Sequence, residues 1–158
     1  MKIDLKWDKP IRLRDGSRVK QIYQCKGLER VPNKPGIYIF ARSFGKHVAP
    51  LYIGQALRLK DRIYGQFNNL HLMLGLQQAE TGHRFLIVAR LKLHPGQQKE
   101  RVLNIVESAF IKHALSEGHD LLNQQGTKTH VHAIRSKGSN LSRKFAPRAM
   151  YVERKRVQ

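Results

Sequence analysis

The sequence predicts an α+β fold, in which a small central antiparallel sheet of about three core strands is flanked by helices. Two runs rich in β-branched and aromatic residues, 36–41 and 50–54, are separated by a short loop that contains Gly45, which is typical of a β-hairpin. Residues 83–93 alternate in part between apolar and polar positions and predict a third strand. Residues 97–117 carry apolar side chains at helical spacing and predict the clearest helix. An N-terminal β-hairpin extension and a basic C-terminal arm complete the predicted architecture.

Residues 1–33 are expected to form an extension packed on the core. Their alternating pattern is interrupted at Asp15-Gly16, a pair that favours a hairpin turn. Residues 20–28 are compatible with a short helix. The turn at 31–36, rich in proline and glycine, then leads the chain into the first core strand.

The segment after the second strand predicts a helix. Its apolar residues recur every four positions and mark the face turned to the core: Leu59, Ile63 and Phe67. Arg62 lies on a neighbouring stripe with Arg58 and Gln66, and therefore at the border between core and solvent. Residues 68–82 either continue this helix or form a second short one.

Glu107 is an acidic residue within the apolar face of the predicted helix at 97–117, near Leu103 and Phe110. A carboxylate in such a position is costly to bury without a partner. Two partners remain open from the residues alone: an arginine such as Arg62, or a hard cation.

The charge of the chain favours a nucleic-acid partner. The 158 residues include 30 Lys and Arg against 11 Asp and Glu, which gives a formal net charge of +19. Such an excess of one sign destabilises a compact fold unless a polyanion neutralises it, so nucleic acid is the expected partner. A basic membrane binder fits less well, because the positive residues are spread along the chain.

Length and cysteine content limit the class of protein further. A chain of 158 residues is long enough for one hydrophobic core but not for two. Its one cysteine, Cys25, excludes an internal disulfide and a cysteine-rich zinc site. The first residues contain no apolar run of signal-peptide length, so we expect a cytoplasmic protein without a membrane segment.

Two tripeptides carry a family resemblance. They match, letter for letter, the motifs that name the GIY-YIG nuclease family: Gly36-Ile37-Tyr38 and Tyr52-Ile53-Gly54. An arginine, a glutamate and an asparagine follow in the order of that family, at Arg62, Glu107 and Asn123. The chain resembles the family over roughly residues 34–126, which implies a nuclease-like domain of that extent.

The resemblance implies a divalent-metal-dependent endonuclease that hydrolyses DNA phosphodiester bonds. Tyr38 would take the proton of the attacking water, Arg62 would bind the scissile phosphate, and Tyr52 would orient the phosphate or the water. Glu107 would hold one Mg²⁺ or Mn²⁺ ion against the leaving oxygen. Asn123 would support the site.

Two positions depart from the family pattern. Gln55 stands where many relatives have a lysine, and it supplies no positive charge to help a tyrosine lose its proton; Arg58 is the candidate to replace that charge. Gln66 stands where relatives often have histidine or tyrosine, and an amide cannot accept a proton as a base does. Both departures favour the alternative of a catalytically weak or inactive GIY-YIG nucleic-acid-binding protein. A nuclease of RNA, or a ribosome-associated protein with structural tyrosine motifs, stays open.

Residues 127–158 hold nine Lys and Arg but only one acid, Glu153. We expect them to form a basic arm that contacts a polynucleotide backbone without reading its sequence, although a solvated tail is the alternative. The residues expected to contact nucleic acid combine this arm with the first helix and the second motif: Gly54, Arg58, Lys60, Arg143, Lys144 and Arg148.

Overall fold

The central sheet of the computed structural model contains five antiparallel strands, and the structure describes residues 1–125, 131–147 and 149–153. The strands lie in the order β1-β7-β5-β6, and β2 also pairs with β7. Their bounds are β1 Asp4–Trp7, β2 Ile11–Arg12, β5 Gly36–Phe44, β6 His47–Ala56 and β7 His83–Lys92. The predicted α+β class, the hairpin of β5 and β6 and the third core strand are all confirmed.

Three α-helices cover the sheet in the described part of the chain. The first and third were predicted, and the second confirms one of the two alternatives for residues 68–82, a separate short helix. They are α1 Leu59–Gln66, α2 Leu70–Gln78 and α3 Lys99–Ser116. A first hydrophobic core lies between the sheet and the helices α1 and α2, and a second core lies between the opposite face and α3. Among the described residues, none of the helices combines the length and apolar character that crossing a membrane requires.

Strand β5 is the centre of the sheet, and its side chains alternate between the two cores. Tyr38 and Phe40 belong to the core under α1 and α2, whereas Ile37 and Ile39 belong to the core under α3. This alternation follows from the two-residue period of a strand. It explains why the predicted strand is apolar at successive positions rather than at every second one.

The N-terminal hairpin is present, but its turn is longer than expected. Strand β3, Arg14–Asp15, pairs with β4, Tyr23–Gln24, across a short 3₁₀ turn at Ser17–Val19. The Asp15 carboxylate accepts hydrogen bonds from the backbone N–H and hydroxyl of Ser17, at 3.0 and 2.7 Å. The short helix that the sequence allowed at residues 20–28 is not formed. Lys20 adopts a left-handed conformation with φ of 57°, and strand β4 follows it.

Strands β1 and β2 join the central sheet through β7. The register of β1 runs from Asp4 opposite Lys92 to Trp7 opposite Ala89. Because these pairings connect residues more than 70 positions apart, the local pattern of the sequence did not reveal them. The first part of the predicted extension therefore widens the sheet, and only β3 and β4 form a separate hairpin.

The described part of the C-terminal arm is folded. Strands β8, Val131–Arg135, and β9, Ala149–Glu153, form a two-stranded antiparallel sheet. A 3₁₀ turn at Ser142–Lys144 lies between them in the chain, and β9 lies against α3. In these ranges the arm is a β-ribbon beside the domain rather than a solvated tail.

Candidate active site at the edge of the sheet

The two motif tyrosines lie on the same face of the sheet, one strand apart. Across the β5–β6 pair, Tyr38 stands opposite Gly54 and Phe40 stands opposite Tyr52. The rings of Tyr38 and Tyr52 are stacked at an interplanar angle of 26°, with their centroids 6.0 Å apart. The hairpin therefore brings both hydroxyl groups to one place, as the alternation of the strands leads one to expect.

Gly54 makes room for Tyr38. A Cβ atom at position 54 would lie 2.4 Å from Cζ of Tyr38 and 2.5 Å from its hydroxyl oxygen, which is far inside van der Waals contact. The ring of Tyr38 thus lies across the backbone of β6, and Gly54 is buried beneath it. A role of Gly54 in contacting nucleic acid stays a prediction.

A β-bulge precedes Tyr52 in β6. The register changes from Phe40 opposite Tyr52 to Ala41 opposite Pro50, which leaves Leu51 as the extra residue. A bulge twists the strand locally and changes the direction of the neighbouring side chains. Because β6 is an edge strand, Pro50 is tolerated there although it cannot donate a backbone hydrogen bond.

Gln66 joins the two tyrosine hydroxyls from the end of α1. Its side chain is buried, and its Nε2 lies 2.6 Å from the hydroxyl oxygen of Tyr38 and 3.5 Å from that of Tyr52. Asn69 fixes the orientation of this amide: its Nδ2 donates to Gln66 Oε1 at 3.2 Å, while its Oδ1 accepts from the backbone N–H of Leu72. The N-cap of α2 therefore decides that Gln66 presents its donor side to the tyrosines.

Tyr52 is held in its protonated form. Burial, and after it the neighbouring Tyr38 phenol, raise the pKa of Tyr52 to about 12, and this exceeds the opposing effects of Gln66 and Arg62. Near neutral pH the Tyr52 hydroxyl is therefore a hydrogen-bond donor, which suits a group that orients a phosphate or a water molecule.

Arg62 interacts electrostatically with both tyrosines and with Glu107. It lies on the exposed side of α1, one turn before Gln66. A hydrogen bond with the Tyr38 hydroxyl raises the pKa of the Arg62 guanidinium, and its interactions with Tyr52 and Glu107 raise that pKa further. Tyr38 itself is fully buried, whereas Arg62 is exposed to solvent.

Glu107 comes from α3, on the opposite face of the sheet. Its Oε2 accepts a hydrogen bond of 3.1 Å from Nε2 of Gln55, a residue of the edge strand β6. Burial raises the pKa of the Glu107 carboxyl, whereas the bonds from Gln55 and the charge of Arg62 act against that rise. Among the described residues no ion pair joins Glu107 to a lysine or arginine, so the direct salt bridge to Arg62, one of the two partners left open by the sequence, is not formed.

The site is therefore built around one edge of the sheet rather than on one face. Tyr38 and Tyr52 reach it from the side of α1 and α2, and Glu107 reaches it from the side of α3. Because β6 is the last strand, charges on both faces act on each other around it. Arg62 acts against the rise in pKa that burial causes at both Tyr52 and Glu107.

The oxygen atoms near Glu107 are compatible with a hard cation. Nε2 of Gln55 donates to Oδ1 of Asn104 as well as to Glu107, so both oxygens face the same nitrogen. Within the described ranges, no group of three or more His, Cys, Asp or Glu residues could hold a metal ion. One carboxylate and one amide oxygen suit Mg²⁺, which keeps several of its water ligands.

Comparison with known proteins gives a local match. The chain is similar to UvrABC system protein C of Petrotoga mobilis. The two sequences are 46% identical over 41 residues, which is 26% of this chain but 7% of the relative. No protein-family model matches the chain, and no solved structure matches it.

Asn123 contacts the same edge strand, β6, from the turn that follows α3 in the chain. Its Nδ2 donates to the backbone carbonyl of Ile53 at 2.7 Å, one residue after Tyr52. The side chain thereby ties the 3₁₀ turn Leu122–Gln125 to β6. This contact concerns the position of β6 and involves no reacting group. The supporting role of Asn123 at the site stays a prediction.

The predicted nucleic-acid contacts differ in their surroundings. Arg58 is exposed at the start of α1, and its Nε lies 2.9 Å from Asp61 Oδ2. Lys60 is partly exposed and Lys144 is exposed. The backbone of Arg143 belongs to the Ser142–Lys144 turn, and Arg148 lies outside the described residues. Their contact with nucleic acid stays a prediction.

Three side chains of this site were missed or misjudged from the sequence. Gln55 and Gln66 were regarded only as departures from a family pattern, although both donate hydrogen bonds within the site. Asn104 was not singled out. Its spacing of three from Glu107 places both on one face of α3, and this spacing is the signal that could have found it.

Proposed function

We propose that the protein is a divalent-metal-dependent endonuclease of the GIY-YIG type, which hydrolyses phosphodiester bonds of DNA. The observation that carries the proposal is the geometry at one edge of the sheet: Gln66 joins the stacked Tyr38 and Tyr52, and Gln55 of β6 donates to Glu107. Arg62 is an exposed cation on α1, one turn before Gln66. A phenol, a guanidinium and a carboxylate around one point are the groups that such a hydrolysis needs. The net charge of +19 and the local similarity to UvrABC system protein C also support it.

Arg62 is the phosphate ligand in this proposal. A guanidinium has five N–H donors, so one can stay on the Tyr38 hydroxyl while others bind two oxygens of the phosphate. Arg62 is exposed to solvent and lies one turn before Gln66, which donates to the Tyr38 oxygen, so we place the bound phosphate beside that oxygen. In this proposal Tyr38 reacts as a phenolate: it takes up the proton of the attacking water and becomes a neutral phenol.

Tyr52 and Gln66 orient the reactants. Tyr52 stays protonated near neutral pH, because burial and Tyr38 raise its pKa to about 12, and it donates a hydrogen bond to the phosphate or the water. Gln66 points its amide donor at the Tyr38 oxygen, which suits the phenolate form that a proton acceptor requires. Glu107, with Asn104 beside it, would hold Mg²⁺ or Mn²⁺, which when bound stabilises the negative charge on the leaving oxygen.

A second function is favoured by one observation. Tyr38 is fully buried, and its hydroxyl is already bonded by neutral Gln66. A site that kept this arrangement when nucleic acid binds would hold a phosphate at Arg62 without cleaving it. The alternative is therefore a nucleic-acid-binding protein with little or no nuclease activity.

A plasmid-nicking assay separates these functions. Supercoiled DNA is incubated with the protein in Mg²⁺, Mn²⁺ or EDTA, and with the variants Glu107→Ala and Glu100→Ala. Glu100 is an exposed acid on the same helix and serves as the matched control. We expect nicking that needs a divalent ion, survives in Glu100→Ala and is lost in Glu107→Ala. DNA binding without nicking in any divalent ion supports the binding protein, and equal nicking by Glu107→Ala contradicts the proposed site.

A further inference from the structure

A groove of about 780 Å³ lies directly beside the candidate active site, between α2 and the turn at Leu122–Gln125. Its volume falls in the range of pockets that bind small organic groups. Tyr52 and Asn123 form its end nearest to β6, so the groove and the candidate site share Tyr52. A group that occupies the groove is therefore an immediate neighbour of a phosphate bound at Arg62.

The chemistry of the lining selects the kind of group. Among the residues that the structure describes, no carboxylate, lysine or arginine lines the groove. The polar groups that line it are three amides, one imidazole and the phenol of Tyr52, and its other side chains include leucines of α2 and of the adjoining turn. The groups that this argument uses are Asn69, His71, Gln78, Asn123, Leu72 and Leu122.

This lining does not suit a phosphate, which needs positive charge. It suits a flat neutral ring, because the leucines contact the apolar faces of the ring while amides donate to and accept from its edge. Nucleobases have these properties. In a DNA strand each base is also attached one sugar away from a phosphate, which matches a groove that begins at Tyr52.

We propose that the groove between α2 and the Leu122–Gln125 turn binds one unpaired nucleobase of the strand whose phosphate lies at Arg62. This inference rests on the proposed nucleic-acid function and adds a substrate class to it. A base stacked inside a duplex cannot reach the groove, because its edges are paired. The preferred substrate is therefore a single strand, or a duplex with a mismatch, bulge or branch next to the bound phosphate.

The test compares two labelled single strands of equal length by fluorescence anisotropy in EDTA, so that cleavage plays no part. One carries thymine bases, and the other is abasic and keeps every phosphate. Stacking of one base on a protein site is worth roughly 1–3 kcal/mol, so we expect the wild type to bind the base-containing strand about 5- to 100-fold more tightly.

The variant Gly75→Leu fills the groove from α2, where a Cβ would meet only the flexible side chain of Leu122 at 3.0 Å. Gln78→Ala removes one amide of the lining, and Gln77→Leu alters an exposed neighbour that does not line the groove. We expect Gly75→Leu to abolish most of the preference for bases, Gln78→Ala to reduce it and Gln77→Leu to keep it. The affinity for the abasic strand should be equal in all four proteins, which also shows that the variants fold.

Two results overturn the inference: equal affinity of the wild type for both strands, or an unchanged preference in Gly75→Leu. Failure of the proposed endonuclease is a separate result, seen as absence of nicking with Mg²⁺ while the preference for bases persists. Conversely, nicking without any preference for bases contradicts base binding in the groove and still supports the proposed endonuclease.

Discussion

Opposing effects act on the pKa of the Glu107 carboxyl, and their balance can be measured. Burial raises the pKa of its carboxyl, so the folded protein binds this proton more readily than the unfolded chain does. The resulting stability is complete below the ordinary carboxyl pKa and is lost as the pH rises through the folded value. At neutral pH the ionised Glu107 therefore lowers the free energy of unfolding.

The variant Glu107→Gln tests this balance. Since an amide does not ionise, we expect the variant to unfold at a higher temperature than the wild type at pH 7, with the difference shrinking toward pH 4. Divalent ions should narrow the difference by binding the folded wild type. Nicking activity should fall on the order of 100-fold or more, as for the loss of one group that stabilises developing charge.

Thermal denaturation between pH 4 and pH 8 is the measurement, with Glu100→Gln as the control on the same helix. The exposed Glu100 should leave both the melting temperature and its pH dependence unchanged. A wild type more stable than Glu107→Gln at pH 7 without metal would show that hydrogen bonds from Gln55 outweigh burial.

Replacement of Gln66 is expected to lower both the stability of the protein and its nicking activity. The variant Gln66→Met keeps the volume of the side chain but removes the donor that joins the tyrosine hydroxyls. A buried polar group left without its partner destabilises a protein by about 1–3 kcal/mol, so we expect a loss of that size in urea denaturation. Nicking should fall roughly 10- to 100-fold, because the Tyr38 oxygen is no longer held in place.

The matched control for this variant is Gln77→Met. Gln77 is exposed on α2, so its replacement should change the free energy of unfolding by less than about 0.5 kcal/mol. Equal stability of Gln66→Met and the wild type would mean that the tyrosine hydroxyls find other partners.

At this scale the sequence identified residues better than it identified contacts. Tyr38, Tyr52, Arg62 and Glu107 were all named from motifs and helical spacing. The structure stacks the rings of Tyr38 and Tyr52 and places Gln55 against Glu107, while the site as a whole stays a prediction. The amide of Gln55 could not be placed, because its partner Glu107 lies 52 positions away in the chain. Which atom of an amide faces a partner depends on such distant neighbours, and local pattern carries no information on them.

Among the secondary-structure elements, the hairpin of β5 and β6 determines where the tyrosines lie. Its close packing predicts a large effect of adding one methyl group to Gly54. The variant Gly54→Ala places a Cβ 2.4 Å from the ring of Tyr38, so either the ring or β6 must move. Overpacking of this kind costs about 1–3 kcal/mol, and we expect a corresponding fall in the free energy of unfolding together with loss of nicking.

Gly65→Ala is the control for that variant. A Cβ at Gly65, within α1, meets no atom within 4 Å, so this change should be neutral or should stabilise the helix by up to about 1 kcal/mol. Chemical denaturation of both variants is the measurement. A stable, active Gly54→Ala would show that Tyr38 does not need its observed position across β6.

The strands and helices of the core were predictable because each has its own period, whereas register and long-range pairing were not. The bulge at Leu51 needs the partner strand to define it, since an extra residue exists only relative to a neighbour. Strands β1 and β2 are short, and their pairing with β7 depends on the fold of the intervening chain. The turn at Ser17–Val19 is set by Asp15 and Ser17, a local signal that the Asp15-Gly16 hairpin rule overlooked.

The whole molecule carries far more positive charge than its own acids can balance. With 30 basic and 11 acidic side chains, most lysines and arginines have no acidic residue to pair with. A surface of this kind binds polyanions by displacing their counterions, so the affinity falls as salt is added. This property does not depend on whether the site is catalytic, and it can be measured without metal.

We therefore expect the affinity for DNA to fall steeply with salt, by about 10³- to 10⁵-fold between 50 and 200 mM if roughly 6–10 phosphates are contacted. The slope of log Kd against log salt concentration, measured by anisotropy in EDTA, gives the number of contacts. Arg58→Gln should reduce that slope by about one, because it removes one positive charge beside the candidate site. Lys2→Gln is the control. Lys2 lies near Asp4 of β1, and β1 and β6 are at opposite ends of the strand order. A slope close to zero, or equal slopes for the wild type and Arg58→Gln, would show that phosphate contacts near Arg62 do not account for binding.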